Sequence, residues 1–516
     1  MKGRKCIASL LVVASLICLP AIAQVITKEA LAKYKDWPRF GEIALFYQLN
    51  QGKLAWVKDS SQQRELMEVL KCASAVGLNE AEYQNDFVRS FSIEQNLHTA
   101  LDSIDADIRF TDDVFHFFIE VKNGKVPSFG YTGLNYKPDV SALPSQLHQY
   151  LQQKNLKSLF NELQPRSREY AVARDKLNWF LKIINEPDFK ETRIVSVKVD
   201  SSNKPLLVRL YQLGFGDSIE SVPSKRGLVT KIQLAQQEFD LLSDGELRNT
   251  TLQALNTTLF QRIEELKTAL NTFRWLEDIK QDSSVLLLNI PAANFFLYEK
   301  GKIMLESRVV VGKKSTPTPS LTSTITEVIL YPYWTVPQKI ATRELLPLIK
   351  KNIGFLKWGN YQVLDKRGRV LDPYSINWQS LNGSNFPYVI RQSTGCDNAL
   401  GLVKFNLYNP FSVYLHDTPV KMFFASARRF YSHGCMRVEK PGELAHYILG
   451  NNRVAYDTLT AKGCIYQQSP IVVQPEKKLP VIILYSTVWY NTKGEIRFYD
   501  DVYNKPNSTT GKLVNR

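Results

Sequence analysis

The chain has 516 residues, with 65 Lys and Arg against 50 Asp and Glu, for a formal net charge of +15. That length predicts two to four domains, and six cysteines in so long a chain exclude a scaffold built from disulfides. Beyond the N-terminus no stretch is long and apolar enough to span a membrane as a helix.

The first element reads as an export signal over residues 1–23. Lys2, Arg4 and Lys5 form a basic start, Cys6 to Leu19 is almost wholly apolar, and Ala21-Ile22-Ala23 offers a small-x-small cleavage site. The apolar run, about 14 residues, is shorter than the roughly 20 that cross a bilayer. A retained N-terminal membrane anchor is the alternative reading. Ile17 stands where lipoprotein attachment at Cys18 would want a small residue. Export leaves Cys72, Cys396, Cys435 and Cys464 in a compartment that permits disulfides. Loss of the three basic signal residues leaves a net charge of +12. Such a surplus suits a polyanion, for an exported protein a cell-wall polymer or a membrane surface, and equally describes a basic, solvated surface. Nucleic acid is the runner-up polyanion, but nothing resembles a nucleic-acid motif, so no nucleic-acid partner is expected.

Residues 24–203 read as a helical scaffold domain. Phe46 to Trp56 is a helix or turn-linked segment, and Gln62 to Ala75 is amphipathic with Leu66, Val69 and Leu70 on one face. Asn79 caps the next helix, and Thr111-Asp112-Asp113 caps another through Phe118. Residues 204–256 carry helices over Leu206 to Leu213, Leu228 to Leu241 and Asn249 to Leu255, with Gly214 and Ser243-Asp244-Gly245 at the turns. This order resembles the three-helix peptidoglycan-binding domain, and is also what any small helical subdomain looks like. A linking helix over 257–282 shows a buried stripe, Leu259, Ile263, Leu266, Leu270 and Phe273.

From 283 to 516 the pattern changes to strands: Val285 to Ile290, Phe295 to Tyr298, Ile303 to Val311, Ile325 to Tyr331, Tyr388 to Arg391, Leu402 to Phe405 and Phe411 to His416. Residues 342–395 interrupt them with a lysine-rich helix (Arg343 to Lys351) and a long polar stretch, an insertion expected to act as a lid. Val481 to Tyr485 and Ile496 to Tyr503 read as a C-terminal hairpin within 480–516. The expected fold class is α+β multidomain, with a helical N-terminal scaffold, a small three-helix domain and a β-rich catalytic domain.

Chemistry concentrates at Ser432-His433-Gly434-Cys435-Met436-Arg437, with His416 lying 19 positions before the cysteine. A cysteine attacks as thiolate and needs a base or an electropositive setting. His416 ends an apolar run, a rigid place from which to aim an imidazole, and the carbonyl or carboxylate of Asp417 offers its second nitrogen an acceptor. Gly434 permits close approach and unusual dihedrals, so amides around Gly434 and Cys435 are candidates for an oxyanion site. Tyr414 projects to the same face as His416, and Arg437 suits a substrate carboxylate or an ion pair with Glu439 or Glu443. The competing readings of Cys435 are a structural thiol, a disulfide partner or a zinc ligand with His416, His433 and His446. The spacing matches no common zinc site, so no metal is expected, and His446 reads as structural.

At these residues the chain resembles the L,D-transpeptidase family, whose signature is a strand histidine followed by Ser/Thr-x-Gly-Cys-x-Arg/Asn. Tyr414-Leu415-His416-Asp417-Thr418-Pro419 is similar to its large multidomain branch, and Val310-Val311-Gly312-Lys313, Trp334-Thr335-Val336-Pro337 and Asn398-Ala399-Leu400-Gly401 also match. The resemblance covers roughly 40–510 and departs from the short form at Asp417, where glycine usually stands. It implies an exported, cell-wall-associated acyltransferase of the periplasm, with Cys435 as nucleophile, His416 as base and acid, Gly434 and Tyr414 as oxyanion donors, and Asp417 orienting His416. It implies substrate contacts at Ser432, His433, Arg437, Trp334 and Asn398. The donor would be a peptidoglycan tetrapeptide stem, which loses D-alanine to a thioester on its diamino acid. A second stem would resolve the thioester to a 3–3 cross-link, with no cofactor, and carbapenems would acylate the enzyme. The same acyl-enzyme given water is an L,D-carboxypeptidase; given a protein lysine, it attaches protein to peptidoglycan. A non-catalytic wall-binding scaffold is the alternative of another class, and sortases or papain-type proteases do not fit a base so placed.

Overall fold

The computed structural model describes residues 25–57, 59–83, 100–195, 199, 203–216, 224–462, 465–466 and 468–505. The export segment and Cys464 lie outside them. The described residues form two units: one from 25–71, 81–117 and 140–161, the other from 72–80, 118–139 and 162 onward. A helical N-terminal region precedes a β-rich C-terminal region.

The first unit is built on helices that each bury one face, among them Phe40–Leu49, Ser60–Leu70 and Leu143–Gln152. Its organising polar group is Asp107, fully buried in the helix Ala100–Asn123. The carboxylate accepts from the amides of Ala55, Trp56 and Val57 and from the Tyr47 hydroxyl at 2.6–3.1 Å. This corrects the cap expected at Thr111-Asp112-Asp113, which lies inside that helix. Thr111 donates back to the Asp107 carbonyl four residues earlier at 2.9 Å, and Asp112 pairs with Arg39 at 2.7 Å. Both side chains are therefore satisfied without ending a helix.

In the second unit the helices Lys204–Gln212, Lys225–Glu238 and Asn249–Asn256 lie within 204–256, and their buried residues join a larger cluster with Leu177, Leu266 and Phe296. Arg209, fully buried, ties the first to the end of the third through the Leu255 carbonyl at 2.6 Å. The helix Leu259–Asp282, capped by the Thr258 hydroxyl, follows.

The strands in chain order begin with β1 (Tyr131–Thr132), β2 (Ser284–Asn289), β3 (Asn294–Glu299), β4 (Lys302–Gly312) and β5 (Leu321–Leu330). Next come β6 (Trp334–Thr335), β7 (Tyr361–Leu364), β8 (Val370–Leu371), β9 (Val389–Gln392), β10 (Val403–Leu407) and β11 (Leu415–His416). The last are β12 (Phe430–Ser432), β13 (Met436–Val438), β14 (Ile471–Val473), β15 (Leu479–Leu484), β16 (Val488–Tyr490) and β17 (Ile496–Phe498). Strands β5-β10-β11-β13-β4-β3-β2-β15 pair in that order, and β15 returns to β5, so the sheet closes on itself. Closure removes the sheet edges. Leu286, Leu288, Phe295 and Leu297 face the interior with Phe405, Leu415 and Met436. Val285, Leu287 and Phe296 face outward under Leu266, Leu270 and Phe273 of the Leu259–Asp282 helix. Burial on both faces explains why these strands read as unbroken apolar runs.

Two sequence expectations are corrected here. Val481 to Tyr485 does not pair with the final segment. β15 joins the barrel, parallel to β2 and antiparallel to β5, and the hairpin is β16 with β17. An all-apolar run belongs between two strands, not at an exposed edge. Phe411 to Tyr414 is not strand: Ser412 has φ +56°, and the Asn409 side chain takes the amides of Phe411 and Val413, so only Leu415–His416 pairs.

Between β5 and β10 the chain folds into its own small layer. Strands β6-β9-β7-β8 form a separate sheet, packed on a continuous helical segment from Gln338 to Lys351 around Leu346, Ile349, Leu356, Trp378 and Ile390.

Candidate active site

Register assembles the site. β11 lies between β10 and β13, with His416 opposite Lys404 on one side and Arg437 on the other. Their neighbours Phe405, Leu415 and Met436 point into the barrel core. Strand alternation therefore turns Lys404, His416 and Arg437 to the opposite face. One step back along the same parallel register, Tyr414 stands beside Cys435, anchored by the Met436 amide on the Tyr414 carbonyl at 3.0 Å. Cys435, His416, Tyr414 and two cations thus share one face.

His416 is buried. Its Nδ1 lies 2.6 Å from the Asp417 carbonyl oxygen. A carbonyl only accepts, so Nδ1 carries the proton and Nε2 keeps its lone pair. Burial, then the charges of Arg437 and Lys404, drive the imidazole pKa down to about 3, against the opposing pull of the Asp417 carbonyl. At neutral pH it is an uncharged base. Cys435 is a half-buried free thiol. Burial raises its pKa, while the Tyr414 amide and hydroxyl and the charges of Lys404 and Arg437 pull it back. Tyr414 is held protonated, chiefly by burial and then by Cys435, and its hydroxyl also meets Trp334 of β6. The Tyr414 and His416 rings sit 5.6 Å apart. The arrangement supports transfer of the thiol proton to Nε2 as sulfur attacks.

The turn ahead of Cys435 is locked by hydrogen bonds. Ser432 Oγ donates to the Cys435 carbonyl at 2.5 Å and accepts from the Gly434 amide at 3.2 Å. The Gly434 carbonyl accepts from Thr318 Oγ1 at 2.8 Å. Gly434 has φ +117°, and a Cβ there would meet nothing closer than 3.7 Å. Glycine is required by backbone conformation, not by crowding.

Several expected roles change. The Gly434 amide is bound to Ser432 and so is not aimed at an incoming carbonyl. Ser432 itself is buried and holds the turn. Asn398 is fully buried, bound to the Ser393 carbonyl and the Leu400 amide at 2.8 Å each, so its side chain is engaged in shaping a turn. Asp417 orients His416 through its carbonyl. Its carboxylate instead accepts from the Leu402 amide at 2.9 Å and from Lys421 at 2.5 Å. A Cβ at Gly401 would collide with that carboxylate. His433 is exposed, 2.7 Å from Glu344, which lies on a π-helical turn, Ala341–Leu345. His446 pairs with Asp457 at 2.7 Å. Glu439, a proposed partner of Arg437, is taken by Arg308 at 2.9 Å. Among the described residues no three His, Cys, Asp or Glu side chains cluster as metal ligands, and no helix is long and apolar enough to cross a membrane.

Lys404 and Thr318 were not identified from the sequence. Alternation in Val403-Lys404-Phe405 was a usable signal for the first, because it opposes Lys404 to two core residues. Thr318 had none, since it reaches Gly434 across 116 residues.

Residues 283–483 match the profile of the YkuD family, the L,D-transpeptidase catalytic domain, and residues 41–177 match a scaffold domain. A curated Haemophilus influenzae protein named "Putative L,D-transpeptidase" is 37% identical over 268 residues, covering 51% of this chain and 53% of the relative. The chain thus spans about half the length of the curated relative it matches. An L,D-transpeptidase from Mycobacterium smegmatis aligns at 16% identity over 39% of this chain and 58% of its own, with a TM-score of 0.19. L,D-transpeptidase 1 of Mycobacterium tuberculosis aligns at 14% identity over 39% and 61%, with a TM-score of 0.16. Because the YkuD match spans the barrel strands from β2 to β15 and includes Tyr414, His416, Cys435 and Arg437, residues 283–483 are an L,D-transpeptidase catalytic domain of the YkuD family.

Proposed function

We propose that this protein is an exported cysteine L,D-transpeptidase that forms 3–3 cross-links in peptidoglycan. The observation that carries the reading is the shared face of Cys435, Tyr414 and His416, with His416 Nδ1 fixed on the Asp417 carbonyl and Nε2 left as base. Cys435 Sγ attacks the carbonyl of the third stem residue as Nε2 takes the thiol proton. The Tyr414 hydroxyl and the Cys435 amide are the donors for the oxyanion, in place of the Gly434 amide. Collapse breaks the amide bond, His416 returns its proton to the departing nitrogen, and D-alanine leaves. The amine of a second stem then attacks the thioester and restores the thiol. The residues present need no metal or soluble cofactor for these steps.

Trp334 and Glu344 reach Tyr414 and His433 from the inserted layer, which supports its role as a lid over the donor. The sequence of residues 1–23 supports export to the periplasm, and the disulfide at Cys396 fits an oxidising compartment. The basic surplus supports contact with anionic wall polymer. A carbapenem, a strained acyl donor, is expected to acylate Cys435.

Incubating the protein with tetrapeptide muropeptides, followed by mass spectrometry, tests the reading. Cross-linked dimers that vanish in Cys435→Ala are expected. Tripeptides alone would assign a carboxypeptidase, transfer only to a protein lysine an attaching enzyme, and the absence of any Cys435 acyl adduct would sink the enzymatic reading.

A further inference from the structure

Lys404 and Arg437 flank His416 in register, one on each neighbouring strand. Both are half-buried, and among the described residues neither forms an ion pair, although the Glu327 carboxylate on β5 acts on Lys404 from beyond ion-pair distance. Nearby cations do: Lys421 pairs with Asp417, and Arg308 pairs with Glu439. Ring faces support the two unpaired cations without neutralising them. Lys404 Nζ lies 4.1 Å from the Tyr414 ring centroid, and the Arg437 guanidinium lies 5.2 Å from that of Phe423. Burial weakens the charged form of each. Cys435 is no resting counter-ion, since burial favours its neutral thiol. Keeping two desolvated, unpaired cations is costly, and an incoming anion relieves that cost.

The proposed reaction supplies that anion at a fixed place. The departing nitrogen must meet His416 Nε2 to be protonated. In the leaving amino acid the carboxyl carbon is two bonds from that nitrogen. Its carboxylate therefore falls beside His416, between the residues paired with it on either side. We propose that Lys404 and Arg437 clamp the C-terminal carboxylate of the donor stem, so that the enzyme selects donors ending at the residue it expels. This rests on the transpeptidase reading and adds donor selection to it.

The test compares two tetrapeptide donors, one ending in a carboxylate and one in a carboxamide, by single-turnover acylation read from intact-protein mass. Wild type should acylate with the acid at least about tenfold faster, as expected for a charge-assisted contact. In Lys404→Gln and in Arg437→Gln that ratio should fall towards one, and Lys404→Arg should restore it. Equal slowing of both donors, with the ratio kept, would mean that the cations act on the thiol and would overturn the clamp, as would an indifferent wild type. Calorimetric binding of the same donors to Cys435→Ala reads the preference without chemistry. Preferential binding of the acid with no acylation in wild type would leave the clamp standing and remove the transpeptidase reading. Acylation without preference would do the reverse.

Discussion

The base role proposed for His416 requires a neutral imidazole at working pH, and its surroundings make it so. Burial comes first and the charges of Arg437 and Lys404 follow, together holding its pKa near about 3. The sign is fixed: every one of those causes disfavours imidazolium, so acidification towards pH 5 leaves the base unprotonated. Single-turnover acylation should therefore show no break near pH 6.5, the ordinary histidine value. Arg437→Gln removes one opposing charge, which raises the His416 pKa and should move an acid-side break upward from about 3. A wild-type profile that falls with a midpoint near 6.5 would show that His416 is solvated and not held as described.

The turn between β12 and β13, which carries Cys435, depends on an element remote in sequence. Thr318 is buried, donates to the Gly434 carbonyl at 2.8 Å and accepts from the Gly312 amide at 2.9 Å. Thr318→Val keeps the shape and removes both bonds, leaving a buried carbonyl and a buried amide unsatisfied. The expected loss is about 2 kcal/mol of stability in a urea melt, with slower acylation of Cys435, because Gly434 at φ +117° needs holding. Unchanged stability and rate would show the link to be idle. Such links mark what the sequence does not reveal. Cys435, His416 and Tyr414 were legible because they follow a local spacing, and β2 to β5 because apolar runs between turn residues announce buried strands. Lys404 arrives through strand register, and Thr318 through the loop between β4 and β5 folding back on the turn. Ser432 and Asn398 read as substrate contacts because a polar side chain buried in a turn looks, in sequence, like one left for a ligand. Phe411 to Tyr414 looked like strand because nothing in a serine signals a positive φ.

At the scale of the molecule, the family match ends at residue 483, but the folding unit does not. β15 closes the barrel between β2 and β5, and the chain then turns into the β16–β17 hairpin. Trp489 and Tyr490 of that hairpin are buried against Phe273 and Phe296, with ring centroids 5.4–5.8 Å apart. The Tyr298 hydroxyl meets that of Tyr490 at 3.1 Å. The hairpin thus joins the outer face of β3 to the Leu259–Asp282 helix. Val488, Ile496 and Phe498 are buried in the same cluster. At about 1.5–3 kcal/mol per large apolar side chain, losing these five residues would remove as much free energy as a typical domain has in reserve. A chain ended at residue 483 should accordingly lose its near-UV circular dichroism and its cooperative urea transition, although Tyr414, His416 and Cys435 are all retained. A truncated chain that melts with the midpoint of the full-length protein would show instead that the barrel stands without its hairpin.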